Sequence, residues 1–225
     1  MAAEVDLVDG IRGTGAVRAF TDEPVDDHTI TRVLDNARFA PSGGNRQPWR
    51  VAVVKDATIR EQLAAAMQPV WDEYVALSAT GVTPFSVVPP ATYEMTSTAP
   101  GNTPNLLLSG IAFIPVVLAV AADLSSIAMM DKDLGRAPIT GGASVYPFCW
   151  NVLLAARAEG LGGVITTFAS RAEPVTGPLL GLPENHALVA TIFLGHPVKR
   201  ATKLSRKPVS SFTTIDRFDG PAFSD

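Results

Sequence analysis

Ala40-Pro41-Ser42-Gly43-Gly44-Asn45-Arg46-Gln47-Pro48-Trp49 joins an amphipathic helical stretch to a strand-like run, Val51 to Val54. A helix-to-strand connection needs only about two to six residues of turn chemistry. This one holds paired prolines and glycines and four side chains that hydrogen-bond: Ser42, Asn45, Arg46 and Gln47. A hydroxyl, two amides and a guanidinium in one loop suit the grip of a flat, polar-edged ligand better than a plain connection.

Upstream, Ile30, Val33, Leu34 and Ala37 fall on one face of a helix predicted over 27–39, with Asp26 or Asp27 as its cap. A shorter helix is predicted over 4–12. Downstream, Val51 to Val54 reads as a buried strand, and Ala57 to Leu77 as a long helix that Pro69 should interrupt or kink. Residues 78–105 carry Gly81, Pro84, Pro89, Pro90, Pro100, Gly101 and Pro104 and read as an irregular lid or substrate-channel segment. Ile114 to Ala121 reads as a central strand and 123–141 as loop. Gly142 to Gly160 reads as a helix with Ser144 as N-cap, Pro147 at its third position and Gly160 just past its end. That helix is apolar almost all round, which places it inside the domain or in a dimer seam. Gly163 to Phe168 and Leu188 to Leu194 read as strands, the latter after the turn Leu182-Pro183-Glu184-Asn185. Helices and strands mix without regular βαβ spacing, which gives an α+β class.

At 225 residues the chain fits one large domain or two small ones, and 47% hydrophobic against 18% charged residues implies much buried surface, including a subunit interface. A net charge of −4 argues against nucleic acid as a partner. The single Cys149 rules out an internal disulfide and suits a reducing compartment. The first residues lack the basic and apolar regions of a signal peptide. The longest apolar stretch, Ile111 to Ala122, is too short for a transmembrane helix. The expectation is a soluble, cytoplasmic protein with no membrane partner.

Common catalytic motifs are missing. There is no P-loop, no G-x-S-x-G elbow and no full G-x-G-x-x-G after a strand, since Gly13 and Gly15 stand alone. His28, His186 and His196 are far apart and read as turn or surface residues, so no metal site is expected. Cys149, in the middle of a helix among large hydrophobes, reads as a small buried apolar residue. What remains is a set of polar and basic loops, which by themselves suit a small-molecule-binding enzyme without establishing one and without naming a cofactor.

Several stretches, in order, resemble the FMN-dependent nitroreductase family: Arg18-Ala-Phe-Thr-Asp-Glu-Pro-Val25, Pro41 to Trp49, Gly142-Ala143-Ser144 with Asn151 to Arg157, Gly160-Leu161-Gly162-Gly163 with the following strand, and Arg206-Lys207-Pro208. The resemblance covers most of the chain. It implies a single domain over 1–225, with a central, mostly antiparallel β-sheet flanked by helices and a long central helix at a homodimer interface. It implies FMN as cofactor and NADH or NADPH as hydride donor. Arg18 and Arg206, the latter in a basic tail over 196–225, would reach the flavin phosphate. Pro41, Ser42, Gly43, Asn45 and Gln47 would hold the ring and ribityl chain, usually across the dimer interface. Gly163, Val164, Ile165, Thr166 and Thr167 would bring a backbone N–H to flavin N5, near Thr166 and Thr167. The flavin would carry the chemistry, with no catalytic side chain. The activity implied is ping-pong hydride transfer to nitroaromatic, quinone or related acceptors. Relatives with other flavin reactions (flavin fragmentation, dehalogenation, azoline oxidation) and a non-catalytic flavin-binding dimer are the alternatives.

One stretch departs from the family. Its N-terminal motif usually begins with Arg, a second basic or polar residue, and Ser, where this chain has Thr14, Gly15 and Ala16. A charge-assisted contact is worth about 1.5–3 kcal/mol, so losing one weakens FMN roughly tenfold. Arg12, Arg206 and Lys203 are candidates to supply the missing charge. Other residues have two readings. Trp49 reads as a core anchor rather than a stacking platform. Asn45 and Gln47 either touch flavin or pin their own loop. Trp71, Tyr74, Phe85 and Tyr93 either line a channel or pack a lid. The sequence does not choose between NADH and NADPH, and it does not identify the acceptor.

Overall fold

The computed structural model describes residues 5–79, 103–201 and 203–223. Its centre is one antiparallel sheet of four strands, β1 (Trp49–Val53), β2 (Val116–Asp123), β3 (Gly162–Thr166) and β4 (His186–Gly195), in the order β1-β2-β4-β3. β2 pairs with β1 through Trp49↔Ala122 and with β4 through Val116↔Leu194, and β3 joins β4 through Gly163↔Leu194. Residues 116–122 of β2 are all buried. A strand covered on both faces cannot show the alternation of a half-exposed one, which is why this stretch reads as one unbroken apolar run.

Side chains alternate across the sheet and make two cores. On one face Val116, Leu118, Val120, Ile192 and Leu194 meet α2 (Asp27–Ala37) and α5 (Tyr146–Ala158) through Ile30, Val33, Phe148 and Val152. On the other, Val117, Ala119, Phe193 and Val164 meet Leu63 and Met67 of α3 (Ala57–Ala79) and Leu107 and Leu108 of α4 (Leu106–Ser109). The order is therefore helices, sheet, helices. A short α1 (Leu7–Gly13) precedes them, and α6 (Phe168–Arg171) and α7 (Glu173–Leu180) connect β3 to β4. No helix among the described residues is long and apolar enough to cross a membrane.

Local chemistry sets the ends. Asp6 caps α1 by accepting from Val8 N–H at 2.9 Å, and Asp26, not Asp27, caps α2 by accepting from Thr29 N–H at 2.6 Å. After α5, Gly160 takes φ +77°, and Leu161 N–H returns to the Ala156 carbonyl at 2.8 Å, the closure that glycine in this position permits.

Three expectations change. Pro69 does not interrupt α3, which runs through it. The helix loses one N–H there but keeps Leu63, Met67 and Val70 in the core. Ser144 does not cap α5. The helix starts at Tyr146 with Pro147 in its first turn, and the Ser144 hydroxyl instead accepts from Gly43 N–H at 3.1 Å. α6 and α7 fill the stretch between the strand ending at Phe168 and the turn at Leu182, to which the sequence assigns no element. α7 contains Pro174, Gly177 and Pro178, which hide it from propensity, and it is held by Thr176 Oγ1 donating to Ala169 O at 2.8 Å and by Glu173 accepting from Leu188 N–H at 2.6 Å. Residues 80–102, with Phe85 and Tyr93, lie outside the described residues.

Arg60, on α3, ties that helix to the end of β1 and the start of β2. It is 7% exposed, and its guanidinium donates to Val54 O at 2.8 Å and Ile114 O at 2.7 Å, with a weaker bond to Ala112 O. Its partners are carbonyls, and burial holds its pKa below the ordinary arginine value. Replacing it with Met should leave buried carbonyls unpaired, each worth about 1–3 kcal/mol. The expected outcome is a fall of about 2 kcal/mol or more in unfolding free energy, read from the urea midpoint. A Cβ on Gly163 would sit 2.6 Å from the Phe193 carbonyl oxygen and 2.4 Å from Leu194 Cδ2. Because backbone is involved, Gly163→Ala is expected to cost more stability than Gly162→Ala, whose Cβ meets only the Val17 side chain.

Candidate functional site

The sequence 16–18 is hung on the edge of β3. Val17 N–H donates to Gly163 O at 2.9 Å, and Ala16 bridges the same glycine in parallel. The chain after β4 runs beside it, with Thr21 N–H on His196 O at 2.9 Å and Val198 N–H on Ala19 O at 3.1 Å. Val17 is buried and Arg18 points outward. Arg18 lines a cavity of about 510 Å³ together with Val164, Ile165, Thr166 and Thr167. No hydrogen bond or ion pair joins Arg18 to another described residue. The structure therefore brings Arg18 together with four of the five residues expected at flavin N5. The fifth, Gly163, is buried behind them as the hinge point of the N-terminal segment.

α3 and α6 supply the opposite wall. Trp71 stacks on Tyr74 with centroids 5.5 Å apart and meets Phe168 at a tilt, 5.8 Å away. Trp71 Nε1 donates to Pro104 O at 3.2 Å, and Asp72 accepts from Thr103 N–H at 2.8 Å. Trp71 and Tyr74 thus both line the cavity, and Trp71 also holds the stretch that enters α4. Among the described residues the cavity wall carries no carboxylate, histidine or thiol.

The loop 41–47 stands elsewhere on the chain. Its backbone is unusual: Gly44, Asn45 and Gln47 have φ of 59°, 53° and 49°. Left-handed backbone is tolerated by Gly and Asn and is disfavoured for Gln by about 1 kcal/mol. Side chains hold this shape. Ser42 Oγ accepts from Gln47 N–H at 2.9 Å, Gln47 Nε2 donates to Asn45 Oδ1 at 3.1 Å, and Ser144 anchors Gly43. Asn45 and Gln47 do pin their own loop, yet both remain exposed. Pro41, Ser42, Gly43, Asn45 and Gln47 are not on the Arg18 cavity. Gln47 lines a smaller polar one of about 220 Å³ with Arg46, Arg50, Asp123 and His186. Trp49 stacks on Phe148 at 4.8 Å and 9°, a core anchor. Arg206 is exposed and donates to Ser205 O at 2.7 Å, away from Arg18's cavity.

At the divergent triplet, Thr14 is buried and its hydroxyl donates to Gly10 O at 2.7 Å. Gly15 lies under Leu204, whose Cδ2 would be 2.8 Å from a Cβ there. One group near this turn was not singled out from the sequence. Arg157, in the last turn of α5, donates from Nη1 to Gly13 O at 2.7 Å. The signal was available: Arg157 is the one charged residue in a thirteen-residue helix of mostly apolar side chains. Cys149 is fully buried, and burial pushes its thiol up to about 12, so it stays protonated and inert.

Comparisons with known proteins agree with this architecture. Residues 11–196 match the model of the nitroreductase family. The 5,6-dimethylbenzimidazole synthase of Rhodospirillum rubrum is 30% identical over 85% of this chain and 86% of its own. The nitrobenzene nitroreductase of Ectopseudomonas oleovorans is 28% identical over 92% of this chain and 95% of its own. The crystal structure of nitroreductase A from Vibrio parahaemolyticus, 21% identical, superimposes with a TM-score of 0.67 over 99% of this chain and 79% of its own, which shows the common fold. The chain belongs to the nitroreductase family.

Proposed function

We propose that this protein is an FMN-dependent oxidoreductase, active as a homodimer, that passes hydride from NADH or NADPH to nitroaromatic, quinone or related acceptors in a ping-pong cycle. The observation that carries this reading is Arg18, an unanswered guanidinium on the wall of a cavity built from Val164 to Thr167, in a member of this family. The residues present fit FMN. The cavity is of a size usual for cofactors, about 300–1,000 Å³. One side offers a cation and backbone groups, and the other is aromatic. Relatives of this fold include an iodotyrosine deiodinase crystallised with FMN.

Bound FMN supplies the hydride-accepting and hydride-donating centre. The chain's own residues hold and tune it. Arg18 offsets negative charge on the cofactor. The backbone at Thr166 and Thr167 offers hydrogen bonds at the ring's reactive edge. Trp71, Tyr74 and Phe168 keep one side of the cavity dry. With no carboxylate, histidine or thiol among the described residues of that wall, this reading leaves proton transfer to solvent and cofactor. The loop 41–47 and Arg18 occupy different surfaces of one chain, so both serve one flavin when the loop comes from a second copy. Arg206, exposed on the tail, is free to swing toward the phosphate from its local bond to Ser205. The buried thiol of Cys149 is in keeping with a reducing, cytoplasmic setting.

The likeness to a 5,6-dimethylbenzimidazole synthase supports a second reading, in which the bound flavin is itself consumed. Aerobic turnover that destroys FMN and releases a benzimidazole would select it.

Purified protein is expected to bind FMN in a 1:1 ratio by fluorescence titration, and NADH or NADPH is expected to bleach the bound flavin under anaerobic conditions. Colourless protein that takes up no FMN would sink the proposal, and lack of bleaching with either donor would remove its nicotinamide part. Asn45→Gly and Gln47→Gly remove the side chains without straining the left-handed backbone. Each should lower FMN retention severalfold while moving the melting temperature by little. A matched loss of stability instead would reduce both residues to loop braces.

A further inference from the structure

Residues 14–16 hold no charge where the family's phosphate motif has a strong ligand, yet the turn is not poor in positive charge. The Arg157 guanidinium lies flat against the residue that precedes the turn. A Cβ on Gly13 would fall 2.6 Å from Nη2 and 3.0 Å from Cζ, so glycine is what lets the guanidinium approach. Nη1 is used by the Gly13 carbonyl at 2.7 Å. Nε is buried and has no partner. Arg200 stands close behind, its Nη2 donating to the carbonyls of Gly160 and Leu161 at 3.0 Å each. Burial, and then the charge of Arg157, hold the Arg200 guanidinium below its ordinary value. Neither arginine forms an ion pair with a described carboxylate. Arg12, in the last turn of α1, is exposed on the same end.

Two neighbouring guanidiniums without an anion leave positive charge unanswered, and a buried donor without an acceptor adds to the cost. Carbonyl partners satisfy some N–H groups but leave the net charge standing. A bound dianion beside Gly13 would answer that charge. At the triplet itself Thr14 is turned inward and Leu204 covers Gly15, while on the tail Arg206 bonds locally and Lys203 is exposed.

We propose that Arg157, reaching across from α5, supplies the positive charge for the flavin phosphate that Thr14-Gly15-Ala16 lack, with Arg200 supporting it from behind. This rests on the reading of the protein as an FMN binder and assigns the phosphate end of that site to a residue outside the N-terminal motif. Arg12, more exposed, adds only a screened contribution.

The test compares FMN with riboflavin, which has the same ring and no phosphate, by fluorescence titration of the apoprotein. The wild-type chain should prefer FMN. Arg157→Gln should weaken FMN roughly tenfold or more and leave riboflavin unchanged. Arg157→Lys, which keeps the charge and tends to keep the fold, should weaken FMN about threefold because a compact ammonium lacks the planar fork that lets the guanidinium hold Gly13 O and present further N–H groups to a phosphate. A drop shared equally by the two flavins would show that Arg157 only braces α1 against α5, and it would overturn the inference. So would an unchanged FMN-to-riboflavin ratio in whichever variant folds. Wild-type protein that binds both flavins equally would also overturn it while leaving the flavin reading intact. Wild-type protein that binds neither would remove both.

Discussion

The carbonyl of Gly163 accepts the N–H of Val17, and much of the site depends on that bond. It ties the N-terminal segment to the edge of β3, buries Val17 and turns Arg18 outward beside Thr166. The approach is possible because neighbouring positions have no side chains. Gly162 faces Val17 and Gly163 faces Leu194, Leu153 and the Phe193 carbonyl, all closer than a Cβ tolerates. A close-packed sheet edge therefore sets the position of Arg18 on the cavity wall, and the rigidity of β4 behind it keeps that position.

The helical layers follow from the same economy. β2 is apolar on both faces because α2 and α5 cover one and α3 and α4 the other. Arg60 closes the seam where β1 leaves and β2 enters, using carbonyls that the sheet cannot pair. Asp131 does a similar task in the loop before α5. It accepts from Ile139 N–H, Thr140 and Arg136, and these bonds hold its carboxyl well below the usual carboxylate range. Buried ions in this chain organise irregular backbone between regular elements.

Most of the fold was legible in the sequence. The strands at Val51, Val116, Gly163 and Leu188 carry β-branched, uninterrupted apolar runs, and their pattern survives whatever packs on them. The helix over 27–39 announced itself by one apolar face. Positions governed by distant partners were not legible. Ser144 has the right chemistry for a cap but is claimed by Gly43, a hundred residues away in sequence. Pro69 stays within α3 because the core holds the helix on both sides of it. Of the candidate site, the grouping of Arg18 with Val164 to Thr167 could be inferred from motif order. The separation of Pro41 to Gln47 from them is implied only by the family resemblance, which puts this loop across a dimer interface; sequence order itself carries no information about which surface a loop faces. Arg157 was overlooked because a lone charge at a helix end reads as ordinary C-terminal chemistry.

The loop with left-handed Gly44, Asn45 and Gln47 is already locked by Ser42, Asn45 and Ser144 before anything binds. A loop fixed in advance loses little freedom on contact, so most of its contact energy is available for affinity. If it serves the second copy, as proposed, cofactor occupancy and subunit association become one linked equilibrium. Dilution would then release flavin, added flavin would draw monomers together, and the concentration of the protein would itself regulate how much of it is competent.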